Sequence, residues 1–166
     1  PDRFDAVARL LGDSGIPWQR RTALDKEPAD GGARVLLVDA VGELGAWWGT
    51  ARIAFVGGSM GCRGGPNMIE PAAYGAAVCF GSNTRNFRDI VAAMLADEAA
   101  MVVNDGRELT EFVCRALESP QEAAALGDRA RALVARQLGA TERTFRLLEG
   151  HLADTNQQRA GKPAAA

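Results

Sequence analysis

Four short runs, "RVLLVDA" from Arg34, "IAFVGG" from Ile53, "AAVCFG" from Ala76 and "AMVVND" from Ala100, are apolar almost without a break and carry Gly or Asp at or next to their ends. A strand with one face in water alternates polar and apolar residues, because successive side chains point to opposite sides. Strands that are apolar throughout belong instead to a parallel sheet covered on both faces. The intervening segments supply the cover. Gly45–Gly49, Met68–Tyr74 and Asn86–Leu95 are helix candidates, and the stretch from Glu108 to Leu148 is helical in pattern, broken at Pro120, with "ATERTFRLLEGHL" as a last helix. Upstream, Phe4, Val7, Leu10 and Leu11 fall at helical spacing before Gly12 and Gly15, and Trp18–Arg21 reads as a short strand. Strand, helix and strand in alternation predict an α/β fold: a Rossmann-like, doubly wound parallel sheet with helices on both faces.

A chain of 166 residues, 47% hydrophobic, supports one ordinary core, so residues 1–153 are expected to form one domain. "DTNQQRAGKPAAA", residues 154–166, has no periodicity and is expected to be a disordered tail. The net charge of -2, with both signs interspersed, leaves no footprint for nucleic acid and no polybasic patch for a membrane surface. Three widely spaced cysteines and the single His151 form no zinc pattern, so no metal is expected and a reducing compartment is the simpler home. No apolar run approaches the ~20 residues that span a bilayer, and the chain is expected to be soluble. It opens on "PDRFDAVARLLGDSG", without methionine, which reads as the body of a helix and hence as a fragment.

In a doubly wound sheet ligands bind outside the carboxyl ends of the strands, in the loops that lead into helices. Three loops qualify: "DAVGELG", "GGSMGCRGGPN" and "GSNTRNF". The stretch Phe55–Gly81 holds seven glycines and two prolines, an outlay of backbone freedom that suits close approach of a ligand. Gly57, Gly58 and Ser59 can aim N–H groups and a hydroxyl at an anion, and Gly64 and Gly65 allow close approach just before a helix N-terminus. Glu70, one turn in, is suited to accepting hydrogen bonds from the two hydroxyls of a ribose, and Asn67 can donate to phosphate. Asn67 and Glu70 equally fit a capping box that touches no ligand. Ser59 can simply cap a turn, Asp39 can form one, Cys62 can be an incidental small residue or a reactive thiol, and Trp47 and Trp48 read as packing. Arg63 and Arg85 are candidates for a phosphate or carboxylate, or plain surface arginines, and His151 reads as solvated.

The ordered set "VDAVGELG", "AFVGGSMGCRGGPNMIEPAAYGAAV" and "FGSNTRNF", preceded by "PDRF", closely resembles the C-terminal half of the 3-deoxy-D-manno-octulosonic acid (Kdo) transferases. The resemblance covers the chain from Pro1 to about Leu148. It implies the donor-side domain of a GT-B glycosyltransferase, lacking its first strand and helix and the whole N-terminal domain, and so lacking the catalytic glutamate and the membrane anchor. The full enzyme would transfer Kdo from CMP-Kdo to the lipid A precursor of lipopolysaccharide, at the cytoplasmic side of the inner membrane, without a metal or other cofactor. The donor nucleotide would meet Gly42, Glu43, Leu44, Gly57, Gly58, Ser59, Gly64, Gly65, Asn67 and Glu70. Within that set Gly42–Leu44 would lie beside the cytosine, the helix after Gly65 would face the α-phosphate, and Glu70 would hold the ribose.

Pro66 stands where the family has histidine, Met68 where it has proline, and Ser82 where it has another proline. The donor's fine specificity is where these changes act. A GT-B transferase using a UDP-sugar, or a non-catalytic nucleotide-binding module, carries the same loops; CMP against UMP and UDP binding separates the first, and an N-terminal half upstream the second.

Overall fold

The computed structural model describes residues 3–61, 67–137 and Leu148. The glycine segment 62–66, the last expected helix apart from Leu148, and the tail 154–166 lie outside the described residues. The chain divides into two compact units, Pro1–Ala51 and Arg52–Ala166.

The first unit opens with α1 (Phe4–Asp13), whose end is closed by Ser14: its N–H donates to the Leu10 and Leu11 carbonyls, and its hydroxyl donates to Leu11 at 2.7 Å. Gly15 then turns the chain at φ +69°. β1 (Trp18–Arg20) and β2 (Val35–Leu37) pair in parallel, with Trp18 opposite Val35 and Arg20 opposite Leu37. Arg21, expected to extend the strand, instead starts a 3-10 helix over Arg21–Asp25. The crossover loop is tied down by Gln19, whose amide donates to the Pro28 carbonyl at 3.3 Å and accepts from the Asp30 N–H at 3.0 Å. α2 (Leu44–Trp48) follows β2.

In the second unit β3 (Ile53–Val56), β4 (Ala77–Phe80) and β5 (Met101–Val102) form a parallel sheet in the order β3-β4-β5. β4 is the centre and is buried along its whole length. Its Ala77 and Cys79 pack with Val103 and with Phe112 of α5 (Gly106–Glu118), while Val78 and Phe80, pointing the other way, are equally buried. α3 (Ile69–Ala73), α4 (Arg88–Ala96) and α6 (Pro120–Gln137) complete the unit. A break between α5 and α6 is dictated by Pro120, which has no N–H to give to α5 but is preorganised for the first turn of α6. At the start of α5, Asp105 accepts from the Glu108 N–H at 2.8 Å, and Glu108 reaches back to the Asn104 N–H at 2.9 Å. α6 lies on the end of α3. A Cβ on Gly127 would sit 1.9 Å from the Gly75 carbonyl oxygen, so the two backbones touch where only glycine leaves room.

Among the described residues all pairings are parallel, as the unbroken apolar runs require, but the strands form two sheets instead of one. Apolar patterning reports the environment of a strand and carries no information about its neighbour. The helix expected from Asn86 starts two residues later, at Arg88, because Phe87 takes a non-helical φ of -135°.

Candidate functional site

In the second unit β3 runs into a turn at Gly57–Gly58. Gly58 adopts φ +82°, a left-handed conformation that an L side chain occupies only at a cost of about 1–2 kcal/mol. Ser59 follows, fully buried. Its hydroxyl donates to the Val56 carbonyl at 2.5 Å and accepts from the Gly81 N–H at 2.7 Å, so it is committed to the backbone on both sides. The Asn83 N–H donates to the Ser59 carbonyl at 2.9 Å, and the Asn83 side-chain amide donates to the Gly61 carbonyl at 2.5 Å. A Cβ at Gly81 would lie 2.6 Å from Ser59 and Met60 backbone atoms, a separation real Cβ atoms do not reach. The loops after β3 and β4 leave the carboxyl ends of adjacent parallel strands, and four contacts lace them together.

Gly81 and Asn83 were absent from the expected site residues. The signal for them is only that "GSNTRNF" follows a strand; which of its residues reach back to Gly61 is a tertiary fact. Arg85 donates to Asn83 at 3.3 Å, which keeps that amide oriented.

Asn67 and Glu70 are brought together. The Asn67 side-chain oxygen accepts from the Ile69 N–H at 3.0 Å, and its amide donates to the Glu70 carboxylate at 3.3 Å. Capping is therefore half realised: Asn67 satisfies an amide at the start of α3, while Glu70, exposed to solvent, accepts from a side chain. Met68 is fully buried and anchors the entry to α3. Gly64 and Gly65, with Cys62, Arg63 and Pro66, lie outside the described residues.

In the first unit Gly42 turns the chain at φ +92°. Glu43 does not stand free. Arg21 donates to it through Nε at 2.9 Å and Nη2 at 3.1 Å, and the Trp47 indole N–H donates at 3.4 Å. Leu44 and Val41 are exposed on either side of this turn. Asp39, just upstream, is a structural turn residue. Burial pushes its carboxyl upward, but the Thr22 N–H at 3.0 Å, the Thr22 hydroxyl at 2.8 Å and Arg20 at 3.2 Å outweigh that and hold it below the usual carboxylate range.

The two described cysteines differ in their surroundings. Burial pushes the Cys79 thiol up to about 12, and Cys114 lies exposed on α5. Among the described residues no group of three or more His, Cys, Asp or Glu is placed to hold a metal ion. None of the helices there is long and apolar enough to cross a membrane.

No family model matches the chain. Curated relatives do. It is 38% identical over 152 residues to a 3-deoxy-D-manno-octulosonic acid transferase of Bordetella pertussis, and 33% identical over 153 residues to one of Haemophilus influenzae. Each match covers 92% of this chain and 35% of the relative, so the chain spans about a third of their length. Among solved structures it is similar to the C-terminal CMP-Kdo binding domain of WaaA from Acinetobacter baumannii, with a TM-score of 0.74 and 26% identity over 81% of this chain and 69% of that one. Shared sequence with the transferases and a shared fold with a transferase domain lead to one conclusion: over 92% of its length the chain is homologous to part of the 3-deoxy-D-manno-octulosonic acid transferases.

Proposed function

We propose that this chain is the donor-binding part of a glycosyltransferase that moves Kdo from CMP-Kdo to the lipid A precursor, at the cytoplasmic side of the inner membrane, in lipopolysaccharide synthesis. The observation that carries the reading is the laced pair of loops at the carboxyl ends of β3 and β4, in a chain similar to a CMP-Kdo binding domain. Backbone N–H groups of Gly57 and Gly58, presented by a turn that Ser59 fastens from behind, bind the α-phosphate. Ser59 acts through that turn and not by direct contact. Asn67 donates to the same phosphate, and Glu70 exchanges its bond to Asn67 for the two ribose hydroxyls. α3 has only five residues, so its free N–H groups matter more than its macrodipole. Gly64 and Gly65 belong to the phosphate side.

This chain's share of the reaction is to bind and orient the donor and to stabilise departing CMP, by groups fixed before the substrate arrives. The base that deprotonates the acceptor hydroxyl belongs to the N-terminal domain. Neither step calls for a metal or cofactor.

Titrating CMP, UMP and UDP into the chain, followed by NMR, tests the reading. CMP is expected to bind with a dissociation constant on the order of 0.1–1 mM, about -4 to -5.5 kcal/mol, and to shift Gly57–Ser59, Asn67 and Glu70. Tighter binding of UDP would point to a UDP-sugar transferase. Shifts confined to residues outside the named loops would refute the site.

A further inference from the structure

We propose that a cavity between α5 and α6 is a binding site for a monocarboxylate with an unbranched apolar tail, separate from the donor loops and independent of the donor reading. The cavity has a volume of about 260 Å³ and lies wholly within the second unit. Ala77 and Met101, the first residues of β4 and β5, line it together with Phe112 and Ala116 of α5 and Ala123 and Leu126 of α6. Alanine at 77, 116 and 123 leaves room that a larger side chain at any of them would take. Gly81, where the donor loops are laced, follows the other end of β4, about 13 Å away along the strand.

Size and charge select the occupant. An apolar cavity of about 150 Å³ takes benzene, so 260 Å³ has room for about ten carbons. Arg115, Glu122 and Arg129 also line the cavity and are exposed, so its apolar wall meets water at a rim with one surplus positive charge. The Nε of Arg129 is spent on the Glu98 carbonyl at 2.7 Å, which anchors that side chain and leaves its two terminal nitrogens for a ligand. Among the described residues the side chains of Arg115 and Glu122 make no hydrogen bond or ion pair. Two guanidiniums beside an apolar wall fit an anionic head on an apolar tail. Glu122 restricts that head to a single charge, since a phosphomonoester, with nearly two, would be repelled by its carboxylate.

Titrating decanoate, decyl phosphate and decanol into the full chain, followed by amide NMR, tests the proposal. Decanoate is expected to give saturable shifts at Phe112–Ala116 and Ala123–Leu126 and to leave Gly57–Ser59 unmoved. Arg115→Gln and Arg129→Gln are each expected to weaken decanoate about threefold, and the double variant about tenfold, with decanol affinity unchanged. Ala123→Leu, which fills the cavity, is expected to abolish binding of both. The two arginines are exposed, so their variants report on the site even where the leucine disturbs the fold. Decyl phosphate is expected to bind no more tightly than decanoate. Shifts that are absent or spread over the whole chain, arginine variants that bind decanoate as the parent does, or a tighter decyl phosphate would overturn the proposal.

Discussion

Glu70 is the side chain on which the donor reading can be tested most directly. It is exposed and its one described partner is Asn67, so removing it disturbs little of the interior. Glu70→Ala removes the acceptor for both ribose hydroxyls, each such bond worth about 1.5–3 kcal/mol when well formed, and is expected to make CMP binding undetectable. The thermal midpoint should stay within about 2–4 °C of the parent; a larger drop would reassign Glu70 to holding α3. Asp39 makes a different kind of prediction. Its carboxyl is held below the unfolded value of about 3.9, so its contribution to stability is fully present above that pH and is lost as the pH falls through the lower folded value. Acid unfolding followed by circular dichroism should show a steeper loss below about pH 4 in the parent than in Asp39→Asn, and superimposable profiles would remove Asp39 from the account.

Helix α6 illustrates how much a missing side chain can decide. Gly127 lets the helix backbone settle onto Gly75, itself in a left-handed conformation at φ +80° at the end of α3. A methyl group there meets a carbonyl oxygen, which cannot rotate aside as a side chain would. Gly127→Ala, a substitution that favours an isolated helix, is expected to destabilise this protein by about 3 kcal/mol or more, lowering the melting midpoint by roughly 6–12 °C. A calorimetric midpoint at or above the parent's would show that α6 shifts freely. From the sequence this glycine looks like a flaw in an amphipathic pattern, because propensity describes a helix alone and the reason for Gly127 lies on another element.

The activity of the whole enzyme is expected to be absent from this chain, since it spans 35% of the relatives it matches and the proposed base lies in the remainder. Incubation with CMP-Kdo and a lipid A precursor should give no transfer; measurable product would place the base among these residues. How far the molecule could be read beforehand follows from the range of the interactions. The five strands and the helix break at Pro120 were legible because burial on two faces, and the missing N–H of proline, act within a few residues; the first helix, expected to end from Gly12, runs on to Asp13 and closes at Ser14. The turn at Gly57–Gly58 was legible as well, since few other residues take the positive φ seen at Gly58. Arg21 against Glu43, Gly81 against Ser59 and Asn83 against Gly61 were not, because each joins positions about twenty residues apart whose meeting depends on the finished sheet. The loops at the strand ends were legible; which of their polar groups are spent holding each other is set only in the folded chain.

The lacing between Gly81, Asn83 and the turn after β3 also bears on rates. A loop that must close over its ligand orders itself during each encounter and slows capture accordingly. Here that ordering is completed when the sheet forms, through bonds to a buried hydroxyl and a close backbone contact. If the proposed phosphate site holds, an arriving anion would find its N–H donors already assembled, and differences in affinity among variants of these loops would be written in how fast the anion leaves.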